Sequence, residues 1–120
     1  MSKETEKEAL IHTIFMMVKT NTAWLKLKPV DRFAFIDREL RPILKKYPSV
    51  TMRFFDSEAF NGKYTDVLLW ETSDLRSYSS VCDELRETDF WGHYFEIVDI
   101  VPSIENSYAA HYNVPKFSTG

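Results

Sequence analysis

The chain has 120 residues, 44% hydrophobic and 28% charged, with a formal net charge of −3. That length makes one domain able to bury its own core. Mild acidity without a long Lys/Arg run excludes a nucleic-acid partner, whose phosphates demand a basic patch.

No segment approaches the length of a membrane span, so no membrane partner is expected. Aromatics reach 15%, and so many rings must lie in a core, a pocket or an interface. Residues 1–9 mix Lys and Glu without an apolar centre. They read as a polar extension, not a signal peptide. Ile11 to Lys19 is β-branch-rich and strand-like. Residues 21–28 form a connector with Trp24 and a helical turn. Pro29 suits the first turn of a helix, where its missing N–H is not needed. Phe33, Ile36, Leu40, Ile43, Leu44 and Tyr47 then follow helical spacing. Pro42 removes the bond back toward Arg38 and predicts a kink or a break.

Val50 to Asp56 is the second strand, and residues 57–63 are a loop with an Asn61-Gly62 turn signal. Tyr64 to Glu71 is the third strand. Thr72 or Ser73 can cap the next helix, with Asp74 favourable at its positive end. Leu75, Tyr78, Cys82 and Leu85 are that helix's apolar stripe. Tyr94 to Val101 is the fourth strand, and Pro102 ends it. Residues 10–102 thus read as one domain. Residues 103–120 are an irregular tail, too aromatic through Tyr108, Tyr112 and Phe117 to be a mere linker. The tail is expected to pack on the domain or on a partner. The order strand–helix–strand–strand–helix–strand predicts a ferredoxin-like α+β fold, one four-stranded antiparallel sheet with both helices on one face.

Strand parity sorts side chains between two faces. Ile14, Met16, Val18, Val50, Met52, Phe54, Val67, Leu69, Phe95 and Ile97 form a wholly apolar set that should meet the helices. The second set holds Phe15, Met17, Arg53, Phe55, Asp66, Leu68, Trp70, Tyr94, Glu96, Val98 and Ile100. It is too apolar to face water. A second copy of the sheet would cover it, giving a two-fold dimer. Charges set among its aromatics suggest a lined pocket.

The segments TIFMMVKT, VDRFAFIDRELRPILKKYPSVTMRFFDSEAF, TDVLLWET and LRETDFWGHYFEIVDIVPSIENSY span roughly residues 13–108. On these segments the chain resembles the darcynin family, and through it the dimeric α+β barrel superfamily. The resemblance implies the same fold and carries no activity of the family itself. The wider superfamily holds haem-degrading and quinone-forming monooxygenases, lactone isomerases, polyketide cyclases, aldoxime dehydratases and stress-response binders. Fold alone does not choose among them.

Arg53 and Asp66 would stand directly across strands if the hairpin centred between Ala59 and Phe60. They then form either a structural ion pair or an Arg held by Asp66 and aimed at a ligand anion. Glu96 lies mid-strand on the same face. It either pairs with Lys19 or a partner's Arg, or has a raised pKa suited to acid–base work. His93 at the strand mouth is a candidate proton shuttle or ligand contact. Phe15, Met17, Phe55, Leu68, Trp70 and Tyr94 would shape the pocket. Cys82 reads as a small core residue, and a lone cysteine fits a reducing cytoplasm. No metal-ligand spacing occurs, and no cofactor is expected. The reading is a small-molecule-binding homodimer with an apolar or aromatic ligand. It is either a cofactor-independent acid–base enzyme (Glu96 moving a proton, Arg53 stabilising an anion, Asp66 orienting Arg53) or a non-catalytic binder.

Overall fold

The computed structural model describes residues 10–118. The expected extension at residues 1–9 lies outside the described residues. Strand β1 (His12–Thr20) leads into a short helix α1 (Thr22–Leu25). Helix α2 (Pro29–Phe35) runs through a π-helical segment, Ile36–Leu40, into α3 (Arg41–Lys46). Then come β2 (Val50–Asp56), β3 (Asp66–Thr72), α4 (Leu75–Leu85), β4 (Phe95–Ser103) and a single-turn helix α5 (Ser107–His111). The strands form one antiparallel sheet in the order β2-β3-β1-β4. This is the expected ferredoxin-like α+β arrangement.

Local chemistry explains the boundaries. Pro29 starts α2, as its fixed φ allows. Pro42 does not break the long helix. The turn before it widens to π geometry, which accommodates the missing N–H while the helical run continues to Lys46. The cap of α4 is Asp74 itself rather than Thr72 or Ser73. Its side chain accepts from the backbone N–H groups of Arg76 (3.1 Å) and Ser77 (3.3 Å). The hydrogen bond from the Ser77 hydroxyl does most to hold the Asp74 carboxyl below its ordinary pKa. Thr72 supports the cap by accepting from Asp74 N–H at 2.9 Å. Pro102 does not end β4. It sits within the strand, tolerated because β4 is an edge strand with one unpaired side.

The core lies between the sheet and the helices. Ile14, Met16 and Val18 of β1, with Leu68 and Trp70 of β3, pack against Phe35, Leu40, Ile43, Val81 and Leu85. Burying each such side chain contributes roughly 1.5–3 kcal/mol. Lys46 Nζ donates to Glu84 Oε1 at 2.6 Å, and the Tyr47 hydroxyl donates to the other Glu84 oxygen, tying the end of α3 to α4. Cys82 is half-buried on α4, and burial pushes its thiol pKa up. In the tail, Ala109 is buried while Tyr108, Tyr112, Val114 and Phe117 are exposed. The Asn106 side chain and the Phe117 backbone exchange two hydrogen bonds, folding the tail back on itself.

The strand faces correct the sequence reading. The hairpin centres on Asn61, not between Ala59 and Phe60. The Asn61 side-chain oxygen accepts from Lys63 and Tyr64 N–H (both 3.0 Å), and its nitrogen donates to Ser57. Asp56 therefore opposes Asp66, and Arg53 opposes Leu69. The offset from the expected pairing is three residues, an odd number, so the whole of β3 turns over. Asp66, Leu68, Trp70 and Thr72 face the helices and are buried, while Val67 and Leu69 face away. A bulge in the β1–β4 ladder does the same to half of β4. Val18 opposes Ile97, but Met17 opposes Asp99, so Ile100 returns to the helix side across from Met16.

Candidate functional site

A cavity of about 540 Å³ opens between the α1–α3 segment and the end of the sheet where β2 ends and β3 begins. The helices supply Trp24, Phe33, Phe35, Ile36, Leu40 and Leu44 to its wall. The spacing of Phe33, Ile36, Leu40 and Leu44 is the helical stripe carried through the π segment. The sheet supplies Met52, Phe54, Leu68 and Phe95, and the loop before β4 adds Phe90. The rings interlock. Trp24 meets Phe35 edge-on at 6.0 Å and Phe95 at 4.9 Å, and Phe90 stacks on Phe95 at 4.8 Å. Phe33 and Phe54 leave their rings at the mouth, 67% and 49% exposed.

The polar groups sit at one end. Asp66 is 6% exposed and lines the cavity, with Asp56 across the ladder and Glu58 beyond it. Burial pushes the Asp66 carboxyl up to about 6. The Thr65 hydroxyl, donating to Asp66 Oδ2 at 2.7 Å, pulls it back, while Asp56 and Glu58 push it further up. Two arginines also line the cavity, and both are engaged. Arg32 donates to the carbonyls of Trp24 and Leu25, each at 3.2 Å. Arg41 pairs with Asp37 one turn earlier. The charge left facing the interior is therefore acidic.

Of the residues singled out from sequence, Asp66 and Leu68 line this cavity. Tyr94 is half-buried behind the wall, against Trp24 (5.3 Å) and Phe35 (4.9 Å). His93 is exposed in the preceding turn, its ring 4.9 Å from Tyr94. Trp70 lies on the helix side but is fully buried in the core beyond the cavity, edge-on to Tyr78 at 5.9 Å. Arg53, Phe15, Met17, Phe55 and Glu96 sit on the opposite face of the sheet, away from helices α1–α4. There Arg53 opposes Leu69, and Glu96 opposes Lys19. The expected Arg53–Asp66 pair does not form, because the two side chains leave opposite faces. The residues missed from sequence are the helix stripe, Met52 and Phe54, and the Asp56 carboxyl. All were visible as periodic positions, and only the register could bring them together with Asp66.

The family described as "Darcynin, domain of unknown function" matches residues 4–119. The chain belongs to the darcynin family. A darcynin homolog of Granulibacter bethesdensis is 45% identical over 104 residues, covering 86% of this chain and 84% of the relative. Among solved structures, a novel heme-binding protein from Thermus thermophilus superposes with a TM-score of 0.71 at 12% identity, over 89% of this chain and 45% of that one. A mutant chlorite dismutase from Candidatus Nitrospira defluvii gives 0.70 at 9% identity, over 94% and 48%. At these identities the likeness shows the α+β fold alone, and the chain spans about half the length of those two proteins. Among the described residues, no helix is long and apolar enough to cross a membrane, and no group of three His, Cys, Asp or Glu could hold a metal ion.

Proposed function

We propose that the chain binds a small molecule in the cavity between helices and sheet, and that Asp66 is its acid–base group. The ligand is an apolar, ring-containing or acyl compound with a polar end that meets the Asp66 carboxyl. The observation that carries this reading is a nearly buried carboxyl on the floor of an aromatic-walled cavity of about 540 Å³. Such a group has both protonation states populated near pH 6, so it can give or take a proton close to neutrality. Trp24, Phe35, Phe54, Leu68 and Phe95 hold the ring, and Phe33 flanks its entry. With Arg32 and Arg41 engaged elsewhere, the interior favours a ligand whose polar end donates a hydrogen bond.

The same engagement of both arginines supports a second reading, a non-catalytic binder. Among the described residues, the cations that line the cavity are Arg32 and Arg41, and both have protein partners rather than being held toward a developing anion. The haem named for the Thermus thermophilus protein does not suit these residues. Among the described residues no imidazole and no thiol lines the cavity, and its floor of carboxyls opposes a haem's acidic propionates. We propose no cofactor. The protein acts as a homodimer in the cytoplasm, a location favoured by its lone, half-buried Cys82. The domain spans residues 10–102, with β4 running one residue further to Ser103, and the aromatic tail that follows packs on the domain or on the partner.

The test is calorimetric binding of a panel of apolar ring compounds between pH 5 and 7.5, with wild type and Asp66→Asn. Affinity should change across a midpoint near 6 in wild type and lose that dependence in the variant. Absence of any millimolar binder, or a pH dependence that survives Asp66→Asn, overturns the reading.

A further inference from the structure

The acidic end of the cavity sets like charges face to face. Asp56 closes β2 and Asp66 opens β3, directly opposite one another in the ladder. Cross-strand partners hold their Cβ atoms about 5 Å apart, and like charges so placed repel. Glu58, in the loop after β2, adds a third carboxyl to the lining. Among the described residues no Lys, Arg or His pairs with any of the three. The other charged groups of the lining are Arg32 of α2, turned to backbone carbonyls, and Arg41 of α3, paired with Asp37. Asp66 is the deepest of the acids, 6% exposed. The Thr65 hydroxyl occupies its Oδ2, and its Oδ1 takes no hydrogen bond from the described residues. A carboxyl oxygen withdrawn from water without a donor is costly unless a ligand supplies one. That donor is not a metal ion: among the described residues no group of three His, Cys, Asp or Glu could hold one. The walls beside the acids are aromatic instead. Phe54 lies two residues before Asp56 on the same face of β2, and Trp24, Phe35 and Phe95 line the space beyond.

We propose that the cavity's ligand is a primary amine bearing a ring or an apolar chain, its ammonium seated between Asp56 and Asp66. This rests on the cavity reading above and names its ligand class. An ammonium carries three donors and no acceptor, so a single group can meet both carboxyls and offset their repulsion. A hydroxyl brings no charge to that pair, and a carboxylate would add a further like charge. Carboxyls to hold the N–H groups and ring faces to meet the positive charge are together what an organic cation needs. Asp56 and Glu58 are exposed at the rim and draw a cation toward the deeper Asp66. The apolar part of the ligand then lies against Trp24, Phe35 and Phe95. A cavity of about 540 Å³ has room for an amine with one or two rings.

The experiment is calorimetry with matched probes: 2-phenylethylamine, 2-phenylethanol and phenylacetate, then tryptamine, tryptophol and indole-3-acetate. At pH 7 the amine should bind about tenfold tighter than its alcohol, with the acid weakest. Amine affinity should rise about tenfold from pH 5 to 7, because the Asp66 carboxyl, pushed up to about 6, must lose its proton to face a cation. Asp66→Asn should remove that rise, and Asp56→Asn should remove most of the preference for amine over alcohol. Thermal melts confirm folding. If Asp66→Asn melts early, Asp56→Asn, at an exposed position, carries the test alone. Alcohols that bind as well as their amines, an amine preference that survives both substitutions, or amine affinity that falls toward pH 7 overturns the amine and leaves the cavity reading standing. Millimolar binding by none of the probes overturns both.

Discussion

Leu68 and Leu69 are neighbours in sequence and identical in chemistry, yet they belong to different parts of the molecule. Leu68 is 1% exposed and floors the cavity beneath the helices. Leu69 opposes Arg53 and Phe15 on the opposite face. One side of the sheet is closed by the chain's own helices and keeps a buried acid. The other, away from helices α1–α4, carries Phe15, Val67 and Leu69 at its centre. The division teaches that a charge among aromatics has two meanings. On a closed face it points to chemistry, and on an open face it points to a partner.

The largest effects should come from that pair. Leu68→Ala should cost about 3 kcal/mol in chemical unfolding, at any protein concentration, because it opens a void in a packed core. Leu69→Ala should cost about 1 kcal/mol in dilute protein and more as concentration rises, since its loss falls on assembly. Equal losses, both independent of concentration, would erase the distinction between the faces.

The next effect concerns pH. The Asp66 carboxyl has a folded pKa of about 6 against an ordinary 3.8. A raised acid pKa means that the fold favours the protonated form. The contribution is fully present below the ordinary value and is lost as pH rises through about 6. Wild type should therefore lose roughly 1–3 kcal/mol relative to Asp66→Asn between pH 4 and 6.5. Denaturant melts across that window decide it. A difference that stays flat, or grows the other way, would mean Asp66 is not the buried acid described.

A smaller effect should follow removal of the α4 cap. Asp74→Ala should destabilise by about 1 kcal/mol and leave ligand affinity unchanged. The smallest should be Glu96→Gln, which lies on the open face across from Lys19. Cavity binding should stay within about twofold of wild type, consistent with a modest exposed interaction. A large loss of binding on Glu96→Gln would bring the open face back as the site.

Much of the fold was legible because its signals are local. Pro29, the helical stripe, the Asn61-Gly62 turn and the alternation in β1 and β2 each act within a few residues. The facing of β3 was not legible. Val67 and Leu69 are as apolar as Leu68 and Trp70, so alternation offered no choice between them. The choice was made by Asn61, whose side chain organises the turn and sets Asp56 against Asp66. The bulge that turns Asp99 and Ile100 has no sequence mark that a single chain displays. Asp66 was singled out as the cross-strand partner of Arg53 on the open face, whereas its carboxyl is buried beneath the helices. Arg53 and Glu96 were grouped with it by the same slip of three residues.

The most direct test of where the site lies is amide NMR of the labelled protein, titrated with apolar ring compounds. The account predicts that binders shift Trp24, Phe35, Asp66 and Leu68, with Phe15, Phe55 and Leu69 little changed. Shifts centred on Phe15, Phe55 and Leu69, with Asp66 and Trp24 still, would contradict it.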